Sequence, residues 1–200
     1  MTPKLNFITL IAFVFLTAIF SCAPKEKQKD GERTEMGQSG LVAVTVESST
    51  HYAEYQEASK LLQEGKALEA IRVYKHLCKI EDERLKTYCY MGLASAYLVL
   101  ANYSEAIKNY NKSLKLNGKN FNSYIGLGST YFSIKDYKKA IEHYDYARKM
   151  NPKSPDCYWG LALAYDKQNN IDSAKANVKQ FLALEPNSKY RNFAEMILMK

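Results

Sequence analysis

Apolar and polar positions divide this chain into three regimes. An uncharged, mostly apolar run from Leu5 to Phe20 follows Lys4, and a polar stretch rich in both charges runs from Ala23 to Ser49. From His51 onward, apolar residues recur at spacings of three and four, the mark of helices with one buried face. This last regime also repeats on a longer scale. Tyr90-Met91-Gly92-Leu93-Ala94-Ser95-Ala96-Tyr97 returns as Tyr124-Ile125-Gly126-Leu127-Gly128-Ser129-Thr130-Tyr131 and again as Tyr158-Trp159-Gly160-Leu161-Ala162-Leu163-Ala164-Tyr165, so that Leu93, Leu127 and Leu161 stand 34 residues apart. A period of this length is one supersecondary unit copied along a solenoid, whose units bury their apolar faces against one another.

Each phrase is followed by a second helical pattern: Ala106, Ile107, Tyr110 and Leu114; Ala140, Ile141, Tyr144 and Ala147; Ala174, Val178, Phe181 and Leu182. Between the two patterns lie Ala101-Asn102-Tyr103, Lys135-Asp136-Tyr137 and Asn169-Asn170-Ile171, where Asn and Asp suit the start of a helix because their side chains accept from free backbone donors. Asn102 and Glu105 have the spacing of a capping box. Each unit stops at Asn117-Gly118, Asn151-Pro152 or Glu185-Pro186.

The pattern resembles the tetratricopeptide repeat family. Tyr124, Leu127, Gly128, Tyr131, Ala140, Tyr144, Ala147 and Pro152 match its motif in the unit 121–154. The units 87–120 and 155–188 match it with departures, namely Gly118 in place of Pro in the first and Val178 and Phe181 in the second. A weaker unit at 51–84 carries Ala58, Leu61, Gly65, Ala70, Ile71 and Tyr74, and residues 189–200 read as a closing helix. The resemblance implies an all-α, right-handed superhelical solenoid of helix-turn-helix repeats over residues 51–200, with Tyr97, Tyr131 and Tyr165 in its core.

The front of the chain reads as an address. Lys4 and the run Leu5–Phe20 form a positive segment and an apolar segment too short for a spanning helix, which needs about 20 residues. Ile19-Phe20-Ser21-Cys22 resembles a bacterial lipobox, which implies a signal peptide at 1–21 and a lipid-bearing Cys22 in the cell envelope, facing the periplasm or exposed at the surface. The alternatives are an uncleaved anchor and a plain secretory signal. Residues 22–50 read as a disordered tether, apolar content being confined to Leu41-Val42-Ala43-Val44-Thr45-Val46, which could form a short strand, lie in the groove of its own repeats, or remain linker.

Charge changes this picture little. The formal net charge is +7, but the lysines of the second helices alternate with Glu105 and Glu142, as a solvated face does, so no nucleic-acid partner is expected. Besides Cys22 there are Cys78, Cys89 and Cys157, with no C-x-x-C pair to hold zinc. Cys89 and Cys157 share a repeat position that Ala53 and Ser123 fill elsewhere, a site for a small packed residue. In the family that this chain resembles, the positions of Cys78 and Cys89 face each other, which implies either a disulfide outside the cytoplasm or two packed reduced thiols.

No catalytic constellation emerges. His51, His76 and His143 are scattered, Gly126-x-Gly128 lies inside a helix without a third Gly, and no cofactor or metal is implied. The expected business is non-catalytic: a scaffold or adaptor binding a protein partner, an apolar segment or an amphipathic helix. In the family, the first helix of each repeat lines the concave groove, which places Tyr55, Met91, Ile125, Phe132 and Trp159 toward a ligand. Gly92, Gly126 and Gly160 recur beside them, and a helical Gly costs about 1 kcal/mol against Ala, so either a ligand or a neighbouring helix comes close there. The Lys and Asn clamp with which some relatives hold a C-terminal carboxylate is absent, and Met91, Gly92, Asn122 and Gly126 stand at clamp positions. Self-association through the same groove, regulation of an envelope enzyme, and an enzyme with an unrecognised site are the competing readings.

Overall fold

The turn inside each helical hairpin is made the same way four times. Gly65, Ala101, Lys135 and Asn169 all have left-handed backbone, with φ of 80°, 55°, 66° and 60°. The amide after each reaches back five residues: Lys66 to the Leu61 carbonyl, Asn102 to Tyr97, Asp136 to Tyr131 and Asn170 to Tyr165, each at 2.9 Å. These are Schellman closures, which satisfy the last carbonyls of the helix before the chain turns back. In three of the four, the next residue caps the following helix: Asn102 accepts from the Glu105 amide, Asp136 from Lys139 and Asn170 from Ser173. The capping box expected at Asn102 and Glu105 is therefore half made. The Asn102 amide is already taken by Tyr97, and the Glu105 carboxylate turns to Lys108.

The computed structural model describes the backbone of residues 38–200 and the side chains of residues 50–200. The expected signal peptide, Cys22 and the expected tether as far as residue 37 lie outside the described residues. Among the described residues all regular structure is helical: α1 (Gln38–Gln63), α2 (Ala67–Leu77), α3 (Glu83–Val99), α4 (Tyr103–Leu116), α5 (Phe121–Ser133), α6 (Tyr137–Met150), α7 (Pro155–Lys167), α8 (Ile171–Leu184) and α9 (Arg191–Leu198). Helices pair as α1–α2, α3–α4, α5–α6 and α7–α8. Each pair packs on the next, and the first helices touch in file, α1 with α3, α3 with α5 and α5 with α7.

The front of the solenoid differs from the tether reading. α1 starts at Gln38, so the backbone of 38–50 is helical, including residues 41–46, for which a short strand was one of three readings. The cause is cooperative: once the packed part of α1 is formed, extending it adds one hydrogen bond for each residue fixed, whereas a lone strand has no partner.

The deepest part of the core lies between the repeats. Tyr74, Tyr110 and Tyr144, one from each of the second helices α2, α4 and α6, are fully buried. Tyr97, Tyr131 and Tyr165, expected in the core, are only half-buried. They lie on the seam between the two helices of a repeat, where Tyr131 stacks on His143 of α6 at 5.2 Å.

Candidate protein-binding surface

Each buried tyrosine does two things. Its ring crosses into the following repeat: a Cβ added to Gly92 would lie 2.5 Å from Tyr74 Cζ, one on Gly126 would lie 2.1 Å from Tyr110 Cζ, and one on Gly160 would lie 2.5 Å from Tyr144 Cε1. Its hydroxyl turns back to its own repeat, to Ser59 at 2.9 Å, Ser95 at 3.0 Å and Ser129 at 3.1 Å. Each serine gives its single proton to the carbonyl four residues earlier, that of Tyr55, Met91 or Ile125. The tyrosine must therefore be the donor, by the inventory of one proton per hydroxyl. Burial pushes the three phenols well above their usual range, and the serines offset only part of it.

The recurrent glycines thus have an occupant, and it is the preceding repeat. The five residues expected to line a groove beside them are interior. Tyr55, Met91, Ile125, Phe132 and Trp159 keep only 7, 1, 2, 5 and 3 % of their surfaces exposed, so none of the five can meet a partner in this structure. Trp159 sits in an aromatic box, 4.9 Å from Phe181, stacked at 5.7 Å on Tyr190 and edge-on to Phe193 of α9. The closing helix thereby covers the residue expected to anchor a ligand.

Three of the four repeats present a tyrosine at the surface. Tyr90, Tyr124 and Tyr158 recur in register, each half-buried. Lys112 of α4 lies over the Tyr90 ring at 5.0 Å and Lys139 of α6 over Tyr131 at 5.2 Å, both in the range of cation–π contact. Tyr124 packs on Tyr146 and His143.

Sequence profiles described as tetratricopeptide repeat match residues 91–155 and 131–197, which together span more than half of the chain and coincide with the hairpins just described. The chain is a tetratricopeptide repeat protein. Solved structures of the same fold agree with it. MamA 41-end from Desulfovibrio magneticus RS-1 is 22% identical and superposes with a TM-score of 0.61 over 74% of this chain and 82% of its own. TTC0263, a thermophilic TPR protein in Thermus thermophilus, is 18% identical with a TM-score of 0.66 over 74% and 81%. The first TPR of Spaghetti (RPAP3), bound to the HSP90 peptide SRMEEVD, is 23% identical with a TM-score of 0.55 over 57% and 94%. At these identities the likeness establishes the fold alone. No curated protein is similar enough to match the chain.

The remaining sites of this tetratricopeptide repeat protein are quickly placed. Among the described residues no group of His, Cys, Asp and Glu could hold a metal ion, and no helix is long and apolar enough to cross a membrane. His143 is half-buried between Tyr124 and Tyr131, and burial lowers its pKa below the usual imidazole value. Cys78 and Cys89 are unbonded in this structure and lie in one apolar cluster. Asp156, in the first turn of α7, has its pKa raised to about 6, by burial first and by Glu185 next.

The serine–tyrosine ladder is the feature that the sequence reading missed, although its signal was present. Ser59–Tyr74, Ser95–Tyr110 and Ser129–Tyr144 are each 15 residues apart. In the last repeat both members change together, to Leu163 and Val178, which are buried as an apolar pair.

Proposed function

We propose that this protein is a non-catalytic scaffold of the bacterial cell envelope, tethered to a membrane through Cys22 and binding a protein partner along its repeats. The observation that carries the binding role is the in-register row of partly exposed Tyr90, Tyr124 and Tyr158 outside a buried interior. Tyrosine suits this use because it offers a large, rigid contact area with a polar tip at small entropic cost. The bound peptide of the RPAP3 structure supports segment binding by this fold. The charged clamp for a terminal carboxylate is missing, since Met91, Gly92, Asn122 and Gly126 are buried and uncharged, so an acidic tail is not the ligand. The tether rests on the lipobox-like Ile19-Phe20-Ser21-Cys22.

Both halves are testable. A photoreactive phenylalanine analogue at Tyr90, Tyr124 or Tyr158 should cross-link one and the same polypeptide in envelope membranes. The same analogue at the well-exposed Leu68 of α2 should not. Equal capture from Leu68, or a co-purifying partner that never cross-links to the tyrosines, would overturn the surface. Cys22→Ser should abolish labelling by a fatty-acid probe and release the chain from membranes, and continued labelling would overturn the anchor.

A further inference from the structure

We propose that Cys78 and Cys89 form a dithiol that reacts with small-molecule disulfides and, once oxidised, staples the first repeat to the second. Cys78 caps the C-terminus of α2 and Cys89 lies inside α3, so a bond between them would cross the joint at which Tyr74 packs on Gly92. The two side chains share the cluster around Tyr74, Leu77 and Leu85.

Access divides their roles. Cys89 is fully buried. Cys78 is half-buried and lines a surface cleft of about 420 Å³ together with Lys75, Lys112, Glu105, Asn109, Tyr90 and Tyr97. A small disulfide entering this cleft meets one sulfur and not the other. The hydrogen bond from Cys89 draws the Cys78 thiol below its usual range, against the upward push of burial and helped by the positive charges of Lys112 and Lys86, while the same hydrogen bond and burial push Cys89 up. The thiolate is the attacking species in exchange, and a nearby cation favours it.

The chemistry balances with a disulfide RSSR as oxidant. The Cys78 thiolate attacks one sulfur of RSSR, a Cys78–SR mixed disulfide forms, and RS⁻ leaves. The Cys89 thiol gives up its proton and attacks the Cys78 sulfur, the Cys78–Cys89 bond forms, and the second RS⁻ leaves. Two thiols of the protein are oxidised, and one RSSR is reduced to two RSH.

The fold supplies its own control. Cys157 occupies the repeat position of Cys89, but its partner is the Ser154 hydroxyl, its charged neighbours are Asp156 and Arg148, and burial pushes it up to about 12. Ser123 fills the same position in the repeat between them, so Cys89→Ser is a substitution that this fold already accommodates.

The test uses the full chain carrying Cys22→Ser, reduced and then equilibrated natively with graded ratios of oxidised to reduced glutathione, acid-quenched, alkylated and mapped without reduction. The expected product is a linked Cys78–Cys89 peptide, an intact mass lower by two hydrogens, a free Cys157, and a melting temperature that rises on oxidation and returns with dithiothreitol. Cys89→Ser should stop at one glutathione on Cys78, and Cys78→Ser should leave Cys89 unreacted. A glutathione that stays on Cys78 in the parent chain without a linked peptide would overturn the proposal. So would Cys157 reacting as fast as Cys78, or Cys89 reacting unaided in Cys78→Ser.

Discussion

The ring of Tyr110 fills the space that a side chain on Gly126 would need: a Cβ there would approach Tyr110 Cζ to 2.1 Å. The same relationship joins Tyr74 to Gly92 and Tyr144 to Gly160, and it makes the joints between repeats alike. Each joint is a large ring set against bare helix backbone, with the ring's polar tip satisfied by a serine of its own repeat.

Gly126→Ala should therefore destabilise the protein by about 1–3 kcal/mol, the usual range for overpacking. On an exposed helix face the same change would stabilise by about 1 kcal/mol, so the sign alone is diagnostic. Urea unfolding measures it. Tyr110→Val in the same chain should recover part of the loss from Gly126→Ala, whereas strictly additive losses would show that the two residues do not meet.

The hydroxyl of Tyr144 is the sole proton source for its contact with Ser129, whose own proton goes to the Ile125 carbonyl. Tyr144→Phe should lower stability by roughly 0.5–1.5 kcal/mol, and a double-mutant cycle with Ser129→Ala should return a coupling of similar size. A coupling near zero would leave the ladder without energetic weight.

Lys135 holds a left-handed backbone, φ 66°, at the turn where the first repeat has Gly65. Lys135→Gly should raise stability by about 0.5–1 kcal/mol, the strain of a Cβ in that region being partly offset by the freer unfolded chain. Lys135→Val should lower it, because branching at Cβ worsens the same clash. Thermal melts of the two variants should move in opposite directions.

Asp156 has a folded-state pKa raised from 3.8 to about 6. Between these values the folded chain binds more protons than the unfolded one, so stability falls as pH rises through that window. Asp156→Asn removes this dependence. It should stabilise at neutral pH by on the order of 1–3 kcal/mol, at about 1.4 kcal/mol for each pKa unit, and the two chains should converge below about pH 4. Melting curves across that range test it.

Trp159 is enclosed by Phe181, Tyr190 and Phe193. As the single Trp of the chain, it should emit in the blue and resist iodide in the intact protein. Truncation after Ser188 removes Tyr190 and Phe193, and should shift the emission to the red, open the indole to quenching, and lower the melting temperature. Quenching already strong in the full chain would return Trp159 to the surface.

The 34-residue period, the three-and-four spacing and the turn residues determined the helical repeat architecture, because these are local and periodic properties that one chain carries in its order of residues. Sequence also carried the small-residue positions, but not what stands against them. Gly92, Gly126 and Gly160 signal close approach by something, and only the stacking of helices shows that the something is Tyr74, Tyr110 or Tyr144. The same stacking decides that Met91, Ile125 and Trp159 are interior: they lie on the side of the first helices expected to meet a ligand, and neighbouring helices together with α9 cover them. The helical backbone of 41–46 was hidden for a related reason, since its apolar run carries no helical period and its helix continues one that packing starts further on. Periodicity tells which residues share a face; which neighbour takes that face is decided by how the repeats pack.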